Sequence, residues 1–401
     1  MADYTKLGFS QFLQSQSGPV SKEWESSYTI DSQFSPSLSG LNYSQLAVSN
    51  RPYRAVFSSD KNQGAYVDLQ SSINYVNSIG GGNILIKQGT YSITGTITMY
   101  SNISLFGEDN NTTVINFGSI PTNKIFGSVI NNIGFDNLSF EHRYGTDGQG
   151  AITLGNSSDI NINNCFFQDN KTFGTYDVST YDIRLVNCSR VIVNKCKSTN
   201  SFGFCELSGT TASVIHLVNN DIINNGVGFG LYSANGTAVF ITNNNINVGT
   251  YAGVLVNSGA AAWFEGIDNC LFSNNFCYGS ALNRIIYISS GGNSITNNIL
   301  QTTTCSKGVE LQGVSKTLIE GNKFLAIGTQ SYGVYISDSV TNNENIILGN
   351  NFNFYGTGVY IGTGAQRTIT SSNCFRQNGT YLIDNGPGTG VAGTTGMNIL
   401  S

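Results

Sequence analysis

From residue 150 to 385 the chain repeats one short pattern, an apolar residue, a polar step centred on asparagine, and a second apolar residue. It reads ININNCF, VIVNKCK, HLVNNDI, ITNNNI, LFSNNF, SITNNI, LIEGNKF, IILGNNF and ITSSNCF, centred on Asn164, Asn194, Asn220, Asn244, Asn274, Asn297, Asn322, Asn350 and Asn373. The gaps are 30, 26, 24, 30, 23, 25, 28 and 23 residues. A floor near 23 with occasional longer gaps is the signature of a β-solenoid: a fixed coil with insertions at some corners. Asparagine and glycine accept left-handed backbone and suit such corners, and stacked asparagines can hydrogen-bond along the axis. These asparagines are read as holding corners rather than a ligand. The Leu-x-x-Leu-x-Leu frame of leucine-rich repeats is absent, and no 3.6-residue period persists over this stretch, which excludes helical solenoids.

A second alternating segment follows each asparagine motif: AITL, DIRL, FCEL, GFGL, GVLV, IIYI, GVEL, GVYI and GVYI. These read as half-buried strands. Aligning them gives one outward column, Thr153, Arg184, Glu206, Gly230, Leu255, Tyr287, Glu310, Tyr335 and Tyr360.

Upstream, AYVDLQSSINYVNSI (65–79) predicts a helix, with Leu69, Ile73 and Val76 on one apolar face and Gly80–Gly82 ending it. It suits a cap over the first coil, whose open edge would otherwise invite aggregation. With GGGNILIKQGTYSITGTITM and SNISLFGEDNNTTVI, this helix resembles the entrance of the pectate-lyase-like superfamily, in the branch common among phage tailspikes and bacterial surface proteins. Gln88 replaces the usual proline before Gly89-Thr90-Tyr91. The resemblance implies an all-β, single-stranded right-handed parallel β-helix over residues 55–385 with a capping helix at its entrance. Segment 1–54 is either an attachment to other virion proteins, as the resemblance implies, or a leader packing on the first coils, and the resemblance further implies a homotrimer. The Gly/Thr-rich 386–401 tail is either a loose end or a strand lent to a neighbouring subunit.

Composition narrows the classes. Charged residues are 11% of the chain and the net charge is -5, so no basic stripe points to nucleic acid. No apolar run reaches the ~18–20 residues of a membrane span. The opening MADYTKLGFSQFLQ has no basic n-region or apolar h-region, so synthesis in a host cytoplasm without a secretory leader, and a place on the virion, are the expectation. Eight cysteines show no CxxC spacing, and Cys165, Cys196 and Cys374 recur at one place in the repeat. Buried free thiols are expected, and neither metal nor cofactor.

Chemistry is sought where charge concentrates. FEHRYGTDGQG carries Glu141, His142, Arg143 and Asp147, and FFQDNKTFGTYDVSTYDIRL carries Asp169, Lys171, Asp177, Asp182 and Arg184. Glycoside hydrolysis needs two carboxylates, and polysaccharide lysis a base with a cation to hold the developing anion. Glu141, Asp147, Asp177 and Asp182 are the catalytic candidates for either. Arg143, Arg184, Glu206, Tyr287, Glu310, Tyr335 and Tyr360 are the substrate-binding candidates, because rings pack on sugar C–H faces and carboxylates accept from hydroxyls. No Asn-Thr-Asp strand, Asp-Asp pair or Gly-His-Gly motif of polygalacturonase type is present, nor an acidic run resembling a pectate lyase calcium site. The sequence therefore leaves three readings open: a virion spike that binds cell-surface polysaccharide, a depolymerase (hydrolase or lyase) that cleaves it, and a rigid decoration or filament subunit.

Overall fold

The structure is a computed structural model. It describes residues 53–386, except 61–63, 65, 67, 119–123, 143–149, 170–180, 234–235, 249, 252–253, 256–258, 281–283, 304 and 339–340, together with 399–400. Of the attachment segment 1–54 only the last two residues are described, and of the 386–401 tail only residues 386 and 399–400.

Period-two alternation builds the walls. In Ser158–Asn163, Ile160 and Ile162 point inward while Asn161 is exposed. The same pattern recurs one coil later in Ser189–Asn194 and again in Ser213–Val218. Each strand pairs in parallel with its equivalent in the next coil, Ile160 with Val191, Val191 with Ile215 and Ile215 with Val239. A 14-stranded sheet (sheet A) and a 23-stranded sheet (sheet B) result. Sheet B takes two strands from a coil, as with Phe166–Asp169 and Tyr181–Val186. Stacked coils lie about 4.8 Å apart, the spacing of hydrogen-bonded strands.

The corner after each sheet A strand has two parts that the sequence reading merged. Asn164, Lys195, Asn219, Asn243, Asn274 and Asn297 hold left-handed backbone, with φ of 51–59°. The residue after each turns inward, and from Asn220 onward that residue is a buried asparagine. Asn220, Asn244, Asn275, Asn298, Asn322, Asn350 and Asn373 form one ladder, each Nδ2 donating to the next Oδ1 at 2.9–3.1 Å. From Asn275 to Asn350 each Oδ1 also accepts the backbone N–H of the preceding rung. Each Nδ2 from Asn244 to Asn373 donates to a carbonyl such as Leu217 O or Phe272 O. Five of the nine assigned centres are therefore rungs. Asn164, Asn274 and Asn297 are corners, and Asn194 ends its strand. Cys165 and Cys196 occupy the rung position in the two coils before the ladder, whereas Cys374 follows a rung and is half-buried. None of the eight cysteines is in a disulfide, and burial raises the Cys188 thiol to about 11 and the Cys270 thiol to about 12.

Inside, aromatic side chains stack in register. Phe324, Phe352 and Phe375 are fully buried at successive ring distances of 4.6 and 5.1 Å. The entrance helix α1 runs Leu69–Ser78, shorter than expected. Asp68 caps it by accepting from Ser71 N at 2.8 Å. Just upstream, Tyr66 is held extended by pairing with Phe57, which blocks an earlier start. Leu69, Ile73 and Val76 join the core as the spacing requires.

Candidate functional site

Strand register fixes the outward column on sheet B. Thr153 lies beside Arg184, Arg184 beside Glu206 and Glu206 beside Gly230. The next member is Trp263, not Leu255. Val254–Leu255 pairs antiparallel with Thr250–Tyr251 in a hairpin that joins neither large sheet. Its GVLV motif imitates a coil strand, and the coil resumes at Ala262–Phe264. Trp263 is followed by Tyr287, Glu310, Tyr335 and Tyr360.

Three residues before each of three column members stands another outward side chain: Arg284 before Tyr287, Lys307 before Glu310 and Tyr332 before Tyr335. Register aligns these as well. The R-x-x-Y, K-x-x-E and Y-x-x-Y frames were the signal that sequence reading passed over. Together they make a strip of alternating rings and charges. The Arg284 guanidinium lies 5.1 Å from the Trp263 ring and 4.7 Å from Tyr287, and Lys307 Nζ lies 4.3 Å from Tyr335. Tyr335 and Tyr360 centroids are 5.0 Å apart with planes 9° apart.

Two parallel rings that close cannot lie flat side by side, because a ring is wider than that separation. They stand on the strands face to face, with their edges and hydroxyls outward. This corrects the expectation of flat platforms for sugar faces: the ring faces are occupied by each other and by cations. The rings are also pinned at their polar ends. Tyr360 Oη donates to Asp338 at 2.9 Å, Tyr287 Oη to Gln312 at 2.6 Å and Trp263 Nε1 to Glu265 at 3.0 Å. Burial, with the Asp338 charge next, pushes Tyr335 up to about 12, and the bond to Asp338 raises Tyr360. Their hydroxyls are therefore protonated donors at neutral pH.

The two glutamates of the column do not offer free carboxylates. Glu310 is 7% exposed and pairs with Lys307 at 2.5 Å and with Arg284 Nη1 at 2.9 Å, the latter an ion pair off the hydrogen-bond axis. Glu206, also 7% exposed, accepts from Arg184 Nε at 3.2 Å. What faces outward around Glu310 is two cations on one carboxylate, flanked by rings on both sides.

Gly230 interrupts the column for a packing reason. The buried Tyr181 lies across Gly203 and Gly230, and its hydroxyl bonds to Tyr232 Oη at 3.0 Å. A Cβ on Gly230 would sit 2.4 Å from Tyr181 Oη and 2.6 Å from Tyr232 Cε2. Gly230→Ala is expected to cost about 1–3 kcal/mol by overpacking, read as a lower denaturant midpoint. An unchanged midpoint would show that Tyr181 is free to move.

The catalytic candidates do not converge among the described residues. Asp147, Asp177 and the binding candidate Arg143 lie outside the described residues, as do Lys171 and the Asp169 side chain. Asp182 is fully buried: its carboxylate bonds to His142 Nε2 at 2.8 Å, Ser198 Oγ at 2.5 Å and Ser201 Oγ at 2.7 Å. It belongs to an interior network, extended by Asn225 Nδ2 to Ser198 at 2.7 Å. Glu141 is half-buried, accepts from Asn116 Nδ2 at 2.8 Å, and stands in the other strand row of sheet B, beside Gln168. Glu206 and Glu310 share the column but sit four coils apart, about 19 Å at the strand spacing, beyond the ~5–9.5 Å of a glycosidase pair.

Residues 229–399, a little under half of the chain, match the family described as right handed beta helix region. No curated protein matches the chain by sequence. Among solved structures, the surface protein and adhesin PfbA of Streptococcus pneumoniae aligns at TM-score 0.57 and 13% identity, over 78% of this chain and 94% of its own. The catalytic domain of a GH87 α-1,3-glucanase in complex with nigerose aligns at 0.52 and 14%, over 79% and 64%. The DFA-IIIase of Arthrobacter chlorophenolicus A6 aligns at 0.52 and 13%, over 80% and 86%. The fold is a right-handed parallel β-helix. At these identities the likeness concerns the fold alone.

Proposed function

We propose that this β-helix binds a cell-surface polysaccharide along the outward strip of sheet B, from Trp263 to Tyr360. The observation that carries this is the in-register run of side chains with polar ends: indole and phenol edges, Arg284, Lys307, Gln312 and Asp338 repeat at the coil spacing over four steps, about 19 Å. An extended glycan presents hydroxyls at regular intervals, and a row of fixed donors and acceptors meets them without reordering. The strip is outward and held by its own hydrogen bonds, so little side-chain entropy is lost on binding.

Binding is preferred to cleavage because the column's two glutamates, Glu206 and Glu310, are ion-paired and too far apart to act on one bond, while the strip's other carboxylates, Glu265 and Asp338, accept from Trp263 and Tyr360. Solenoids of like fold include both an adhesin and a glucanase, so fold leaves either role open. The setting proposed is a virion spike, homotrimeric, attached to other virion proteins through residues 1–54. The sequence resemblance to the tailspike branch supports that setting, and a trimer would add weak glycan contacts together through avidity.

Incubating the protein with surface polysaccharides from a panel of bacterial hosts, scored for retention and for polymer length, tests the reading. The expected result is retention of at least one polymer at unchanged length. Shortened polymer would instead establish a depolymerase, with ultraviolet absorption of an unsaturated product marking a lyase. No retention across the panel would favour the structural strut. With the retained polymer, Tyr335→Ala and Trp263→Ala are each expected to weaken binding about 5–10-fold, corresponding to ~1–1.4 kcal/mol of lost contact. Equal affinity in both variants would remove the strip from the site.

A further inference from the structure

The centre of the sheet B strip carries a charge that its own carboxylate does not balance. Arg284 and Lys307 stand directly opposite each other in adjacent coils, and like charges in that position repel. Glu310 pairs with both, with Arg284 Nη1 at 2.9 Å and with Lys307 Nζ at 2.5 Å, which leaves one positive charge in excess. The ion pairs Lys87–Glu108, Arg184–Glu206, Arg190–Asp159 and Arg367–Glu344 instead match one cation to one carboxylate.

Arg284 is also set to donate. Its guanidinium is held against the Trp263 and Tyr287 rings, so its orientation is fixed before a ligand arrives. Its contact with Glu310 is ionic and off the hydrogen-bond axis, and its Nε is buried with no hydrogen-bond partner. A donor left unused in this way costs folding free energy. Such a conflict between local rules is expected where a protein keeps a binding site.

We infer that Arg284 and Lys307 seat one anionic substituent of the glycan, a carboxylate or a phosphate. The inference rests on the glycan reading of the strip and gives that ligand a charge. A planar guanidinium beside an ammonium holds two oxygens of one such group. Glu310, less exposed than either cation, lies beneath them and keeps their heads in place.

Neighbouring charges limit how often the anion recurs. The exposed Glu265 follows Trp263 in the coil before Arg284, and the exposed Asp338 follows Tyr335 in the coil after Lys307. Each carboxylate is displaced from the seat by one coil step of ~4.8 Å along the axis, and disfavours a second anion on the adjacent sugars. The ligand is therefore a heteropolysaccharide with an acidic residue set among neutral ones, not a polymer charged at every sugar.

The test takes the polymer retained in the host panel and neutralises it in two arms, carboxyl reduction with carbodiimide and borohydride, and removal of phosphate with hydrogen fluoride. One arm is expected to weaken binding about tenfold or more, the loss of one charge-assisted contact, and so names the anion. Lys307→Gln should give the same loss and flatten the dependence on salt between ~50 and ~500 mM. Tyr335→Ala, by contrast, should weaken binding with that dependence kept. Lys307→Gln leaves Glu310 and Arg284 paired one to one, so the circular dichroism spectrum should not change. Arg284→Lys keeps the charge and is the second variant, expected to retain the salt dependence. Binding unchanged in both arms, or an unchanged salt dependence in folded Lys307→Gln, would overturn the seat and leave the strip as a site for neutral sugar. If no polymer is retained, the glycan reading fails by itself. The seat is then judged in the Trp24→Phe protein, where Trp263 is the sole indole, by fluorescence titration with glucuronate, inorganic phosphate and, as neutral control, glucose. A saturable change with either anion and none with glucose is expected, and no change with either anion would overturn the inference.

Discussion

Asn298→Ala is expected to destabilise the solenoid by about 3–5 kcal/mol, from two buried donors losing their acceptor at ~1–3 kcal/mol each, together with the void left behind. Asn298 Oδ1 accepts from both the backbone N–H and the Nδ2 of Asn275, at 2.9 and 3.1 Å, in a fully buried rung. Asn298 Nδ2 in turn supplies Phe272 O and Asn322 Oδ1, each at 2.9 Å. Asn298→Asp should be as damaging although its shape is nearly identical, because a carboxylate donates to neither oxygen and would sit as a charge against both. The adjacent Asn297 is the control. It holds the left-handed corner at φ 57°, and Asn297→Ala should cost only the left-handed backbone penalty of about 1 kcal/mol. Chemical denaturation of the two alanine variants decides the point. Equal losses would mean that the ladder contributes no more than the corner does.

The second large effect concerns Asp182. If its role is architectural, Asp182→Ala should lower stability by about 3–5 kcal/mol, the usual consequence of removing one member of a buried polar pair. The substitution strands His142, Ser198 and Ser201 around an empty site, since all three direct hydrogen bonds at its carboxylate. Glu141→Gln should by contrast leave stability within about 0.5 kcal/mol, as expected of a partly exposed polar substitution, because an amide oxygen still accepts from Asn116. Thermal unfolding of both variants separates the cases. A fully stable Asp182→Ala protein would contradict the interior network and return Asp182 to the catalytic candidates.

Much of the architecture is legible in the pattern of apolar positions. Period-two alternation and a coil length floored near 23 residues place the strands, and eight of the nine expected column members stand in one register. The failures have local physical causes. Asparagine suits both a left-handed corner and a buried rung, and the two positions are adjacent, so the motif does not say which asparagine does which. Leu255 mimics Trp263 in sequence because a two-stranded hairpin has the same alternation as a coil strand. Asp182 reads as an outward loop charge, yet Tyr181, Asp182 and Ile183 are all buried, so alternation breaks where this strand begins. The glutamates were correctly placed in the column. That Lys307 would pair with one of them is written in the K-x-x-E frame of a single strand, whereas the second cation, Arg284, arrives through a cross-coil register that only the structure supplies.

The most direct measurement is a hydrogen-exchange footprint of the polysaccharide retained in the binding panel. The expected result is slower exchange confined to the strip, in segments 262–265, 284–289, 307–312, 332–338 and 357–363, with sheet A unchanged. Protection confined to residues 143–149 and 170–180, where Arg143, Asp147 and Asp177 lie, would contradict this account and move the site to the charged insertions.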